Sequence, residues 1–81
     1  MKAKALYQAG KLNEAIQALN AEIRENPTDA QRRVFLFELL CFAGDYDRAT
    51  QEIRRALELD PKNPRMQARL NELMDRKHSG D

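Results

Sequence analysis

A chain of 81 residues, 42% hydrophobic and 33% charged, makes one small helix-rich domain near the lower end of what a single core supports, and excludes a disordered segment. Fourteen basic against thirteen acidic residues leave a net charge of +1, which excludes a polybasic surface for nucleic acid or an anionic membrane as the main means of binding. One cysteine excludes an intrachain disulfide and fits a reducing, cytoplasmic compartment.

Punctuation recurs along the chain at one spacing. Gly10 and Gly44 stand 34 residues apart, as do Ala15 and Ala49, and Pro27 and Pro61. Leu6 pairs with Leu40 at the same offset, Leu12 with Tyr46, Asn13 with Asp47, Leu19 with Ile53 and Ile23 with Leu57. So many matches at one offset define an internal repeat whose unit is two helices.

The N-terminal MKAKALYQAGKL has lysines but no apolar signal core, and its first helix spans 2–9, ended by Gly10. Asn13 is a candidate N-cap for a second helix over 14–25, where Ala15, Ile16, Leu19 and Ile23 form one apolar face before Pro27 stops it. Thr28 followed three residues later by Gln31 has capping-box spacing and opens a third helix over 29–43. That helix holds VFLFELLCFA, apolar at every position from Val34 to Ala43 except Glu38, and therefore apolar on all sides. The run is half the roughly 20 residues of a membrane-spanning helix.

Gly44 ends the third helix, and Asp45 or Asp47 caps a fourth over 46–59. The fourth buries Ala49, Ile53, Ala56 and Leu57 and exposes Gln51, Arg54, Arg55 and Glu58. Asn63-Pro64 starts a fifth helix over 64–77, with Met66, Leu70, Leu73 and Met74 on its single apolar face. One-sided helices of this kind terminate helical stacks. The expected organisation is all-α: two repeats over 1–61, the first truncated at its N-terminus, a capping helix over 62–77 and a flexible tail over 78–81.

Glycine, an aromatic or leucine, then Ala, a large apolar residue, Ala and Pro on a 34-residue period resembles the tetratricopeptide repeat. AGDYDRATQEIRRALELDP, residues 43–61, carries nearly the whole second-helix pattern, and AGKLNEAIQALNAEIRENP, residues 9–27, is a weaker copy. Arg33 stands where that family often has tryptophan, and Phe37 where it usually has a small residue, which implies reshaped packing between first-type helices. DAQRRVFLFELLCFAGDYDRA, residues 29–49, is similar to the N-terminal repeats of the ImpE/SciE (TagJ) accessory proteins of bacterial type VI secretion. That resemblance implies a non-enzymatic adaptor that binds a helical segment of a contractile-sheath subunit. Members of that group usually continue into a further C-terminal region, on which any function requiring it depends.

In this repeat architecture the first helix of each pair lines a concave groove. At about 100° per residue, Val34, Phe35, Glu38, Cys41 and Phe42 fall within about 120° of each other, while Leu36, Phe37, Leu39, Leu40 and Ala43 face the other way, into the core. Lys4, Tyr7 and Gln8 would edge the groove on one side, and Arg69, Glu72 and Arg76 on the other. The expected partner is an amphipathic helix or extended peptide of another protein, with charged edges setting its orientation. Burial of the same face in a homodimer is the alternative. Glu38 in the middle helix disfavours a clamp for a peptide's terminal carboxylate.

No enzyme is visible, and no cofactor or metal is expected. Cys41 has no histidine near it in sequence to activate it and reads as a small apolar residue. One His and one Cys cannot make a standard metal site. Glu22, Glu25 and Asp29 read as solvated charges, as do Arg32-Arg33 and Arg54-Arg55.

Overall fold

The computed structural model describes residues 2–79, with side chains through residue 75. These residues form α1 (Lys2–Gln8), α2 (Leu12–Glu25), α3 (Ala30–Phe42), α4 (Tyr46–Leu59) and α5 (Pro64–Ser79). Each helix packs on the next in the chain, α1 on α2, α2 on α3, α3 on α4 and α4 on α5, as antiparallel hairpins do. The helix over the C-terminus runs two residues past the expected end at 77; Gly80 and Asp81 lie outside the described residues.

The 34-residue period has a direct structural meaning. Gly10 and Gly44 sit at φ 80° and 81°, the left-handed conformation that a side chain disfavours. In the first turn the Lys11 N–H donates to the Leu6 carbonyl at 2.9 Å, and the Gly10 N–H to that of Tyr7 at 3.0 Å. In the second, Asp45 and Gly44 donate in the same way to Leu40 and Cys41, at 2.9 and 3.1 Å. Both are Schellman turns, which satisfy the last carbonyls of one helix while reversing the chain into the next. The longer turns also match: the Asp29 N–H donates to the Asn26 carbonyl at 3.1 Å, and the Asn63 N–H to that of Asp60 at 3.2 Å.

Two of the caps, those of α2 and α3, depart from the expected ones by a residue or two. α2 begins at Leu12 with Lys11 at its N-cap position and no side-chain bond there, so Asn13 does not cap it. The Schellman turn already points Lys11 into the helix, and its carbonyl accepts the first bond, from the Ala15 N–H at 2.9 Å. Asp29, not Thr28, caps α3, accepting from the Arg32 N–H at 3.1 Å. Asp45, not Asp47, caps α4. At α5 Asn63 accepts from the N–H groups of Arg65 and Met66, as its sequence position suggests.

The core centres on α3. Leu36, Leu39 and Leu40 are buried there between Leu19 of α2 and Ile53 of α4, all with at most 1% of their surface exposed. Ala15, Ile16 and Ile23 extend it along α2, Ala49 and Ala56 along α4, and Met66 and Leu73 onto α5. Phe37 is buried as expected, but Ala43 is exposed, because it lies past the end of α3 at its C-cap. Leu57 is only half-buried, and Thr50, absent from the expected apolar face, is buried with its hydroxyl donating to the Tyr46 carbonyl at 2.8 Å.

Four of the charges expected in solvent, Arg33, Arg32, Glu22 and Asp29, are paired at the joints. Arg33 is 8% exposed: its Nε and Nη2 donate to the Pro27 carbonyl at 3.2 and 3.0 Å, and its Nη1 to the Glu52 carboxylate at 3.2 Å. One guanidinium thus ties the α2–α3 turn to α4. Arg32 is half-buried and bonds both Asp29 and Glu22, so those two carboxylates are paired. The Arg32 N–H donating to the Asp29 carboxylate holds that group below the usual carboxylate range, with partial burial opposing and the Arg32 guanidinium reinforcing.

Arg33→Met, which keeps the stem and removes the guanidinium, is expected to cost about 2–3 kcal/mol by leaving Glu52 and the Pro27 carbonyl unmatched, read as a lower urea midpoint. Arg33→Met with Glu52→Leu should recover part of that loss, since no carboxylate is then orphaned. Because the Asp29 pKa is lowered on folding, its stabilisation is complete above the unfolded carboxylate value of about 3.9 and is lost as pH falls through the folded value. Asp29→Ala should therefore cost about 1 kcal/mol at neutral pH, with the gap to the parent chain narrowing in acid unfolding curves as that carboxylate protonates.

Candidate functional site

α3 leaves one of its sides open. Phe42, nine residues on from Arg33 and so about 180° around the helix, has 66% of its surface exposed. Tyr7 of α1, 39% exposed, stacks against it with centroids 6.0 Å apart and planes inclined by 17°. The same Tyr7 ring meets Phe35 edge-on at 6.1 Å and 89°. Both are favoured aromatic geometries, so the three rings form one continuous apolar ridge from α1 onto α3.

Across α3 from Tyr7, α5 supplies the opposite bank. Arg69 pairs with Glu38 at 3.2 Å. With side chains 51% and 36% exposed, the pair is worth under about 1 kcal/mol and fixes orientation more than stability. Two shallow hollows flank it. One lies against Val34 and Met66, bordered by Gln31 and Arg65. The other has Phe37, Cys41 and Leu73 in its lining, with Phe42 and Tyr46 beside them. Glu38, Arg69 and Glu72 line both.

The structure therefore brings Val34, Glu38, Arg69 and Glu72 together, places Cys41 and Phe42 beside them, and joins Phe35 to Tyr7. Lys4 and Gln8 are exposed on α1 and line neither hollow. The Arg76 side chain lies outside the described residues. Val34, Phe35 and Cys41 are half-buried and pack against the core, so the open character of this side rests on Phe42. Tyr46, 39% exposed, is a contributor that the sequence reading missed. Its signal was present in the repeat, where an aromatic takes the place of Leu12, but its reach toward α3 depends on the turn at Gly44.

Among the described residues no group of three or more His, Cys, Asp or Glu side chains is placed to hold a metal ion. No helix among them is long and apolar enough to cross a membrane.

Short helices reversing at left-handed glycines every 34 residues, stacked so that α3 keeps an open side, define a helical-repeat protein. Residues 6–73 match the tetratricopeptide repeat, and the chain belongs to that family, whose repeats generally bind protein partners. Over 60 residues it is also 40% identical to the type VI secretion system accessory component TagJ of Pseudomonas aeruginosa. That similarity takes in 74% of this chain and 21% of the relative, so the chain spans about a fifth of that protein's length.

Two phenylalanines five residues apart on α3 should respond oppositely to truncation. Phe37→Ala removes a ring that is 3% exposed and should cost about 3–5 kcal/mol, whereas Phe42→Ala should change the unfolding free energy by less than about 1 kcal/mol in the same denaturant titration.

Proposed function

We propose that this chain is a non-enzymatic, cytoplasmic protein-interaction module that holds an amphipathic helix or extended peptide along the open side of α3. The observation that carries this reading is Phe42, a large apolar side chain two-thirds exposed where an aromatic ridge meets one of the two hollows. Solvated apolar surface of this kind gains by being covered, and buried aromatic anchors dominate interface energetics. The hollows on either side of the Glu38–Arg69 pair suit apolar side chains one or two turns apart on a helix, and the pair offers both signs of charge to orient it. Lys4 is a candidate edge contact together with Tyr7, Arg69 and Glu72.

The more specific reading is a type VI secretion accessory role, supported by the 40% identity to TagJ, with a helical segment of a sheath subunit as the occupant. The same exposed aromatics, Tyr7, Phe42 and Tyr46, also support an alternative in which two copies of the chain cover each other's α3.

Phe42→Glu tests both readings with little risk to folding, because the side chain is already in solvent. It should weaken binding of labelled sheath-subunit helices by at least about tenfold in fluorescence anisotropy while leaving helical circular dichroism unchanged. Undiminished binding would defeat the groove assignment. A parent chain that sediments as a dimer, and a Phe42→Glu variant that sediments as a monomer, would transfer this face to self-association.

A further inference from the structure

The side of α3 opposite Phe42 carries a second recessed surface, in the cleft between α2 and α4, and its chemistry is different. Arg24 of α2, Arg33 of α3 and Arg55 of α4 line it together, with Glu52 as the acidic residue among them. Glu52 is already engaged by Arg33. The recess continues toward the end of α4, where Glu58 and Leu59 join Arg33 and Arg55.

Three features of this cleft go beyond a solvated charge cluster. Arg33 is more than nine-tenths buried, yet three of its five N–H groups account for its contacts among the described residues, which leaves one donor on each terminal nitrogen. Arg24 and Arg55 are exposed and form no ion pair among the described residues, so neither Glu52 nor Glu58 cancels them by direct contact. Leu59, 41% exposed, supplies an apolar shelf beside the arginines.

We propose that this cleft is a second docking site, which receives an acidic segment of a protein partner: a carboxylate between Arg24, Arg33 and Arg55, with a neighbouring apolar side chain on Leu59. Planar guanidinium groups match carboxylates in charge and geometry, and Arg33 is held ready by its bonds to Pro27 and Glu52. An inorganic anion would gain nothing from Leu59, whereas a peptide gains from both. Since the cleft and the Phe42 surface lie on opposite sides of one helix, a single chain can hold two partners at once. This proposal is independent of what occupies the groove.

The test is a titration of the whole chain with a capped Glu-Leu-Glu-Glu peptide, following arginine Nε–Hε resonances by NMR, with inorganic phosphate in a parallel arm. The Arg33 resonance should shift saturably with the peptide at lower concentration than with phosphate. Binding should weaken by about tenfold in Arg24→Gln with Arg55→Gln and stay unchanged in Phe42→Glu. Shifts that do not saturate, or that sodium chloride alone reproduces, would overturn the proposal. Equal affinity for phosphate would make the cleft a small-anion site and overturn the docking assignment.

Discussion

The packing of α3 between α2 and α4 is the contact on which the molecule depends. Among the described residues, three of the five largest fully buried side chains, Leu36, Leu39 and Leu40, belong to α3, and the other two, Leu19 and Ile53, come from the helices on either side. A helix hairpin by itself buries one face and leaves the other in water, so a short repeat array is stable only where a helix is shared between neighbours. α3 is that shared helix. Its apolar circumference is a consequence of meeting two partners, and the described chain, 33 × 28 × 16 Å in extent, is too thin to cover it on every side.

The two opposite sides of α3 are built from different forces. On the side facing α1 and α5, stacked rings and a half-solvated ion pair make a surface whose value lies in being covered. On the side facing the α2–α4 cleft, Arg33 is committed to Pro27 and Glu52, where the tetratricopeptide pattern often has a tryptophan. A guanidinium can satisfy a turn carbonyl and a carboxylate together, and an indole, with one donor, cannot. The exchange trades apolar area for directional bonds that set how the α2–α3 turn sits on α4. It also gives a small domain a rigid polar joint between repeats.

Much of the architecture is legible in the residues. Gly10 and Gly44, with Leu6 and Leu40 at the matching offset, mark the Schellman turns because only glycine accepts that φ cheaply. The 100° periodicity divides α3 into buried and open halves correctly for Leu36, Phe37, Leu39 and Leu40. It fails at Ala43, which belongs to the turn and not to the helix. The caps of α2 and α3 were displaced because Asn13, Thr28 and Asp29 all carry a side-chain oxygen able to accept from the first N–H groups of a helix. Choosing among them depends on where the preceding turn delivers the backbone. For the open side, Val34, Glu38 and Phe42 could be read from α3 alone, whereas Tyr46 and the Tyr7 stacking could not.

By itself the sequence determined the all-α class, the 34-residue period, the helices to within a few residues, and most of the apolar face of α2, α4 and α5. Those are local properties: backbone propensity, glycine conformation and side-chain spacing act over a turn or two of helix. Tertiary structure alone decided that Arg33 is buried, that Tyr7 bridges Phe35 and Phe42, that Glu38 meets Arg69 and that Phe42 is left in solvent. Each of these depends on distances between side chains on different helices. Such distances follow from how hairpins stack, and no spacing along the chain encodes them.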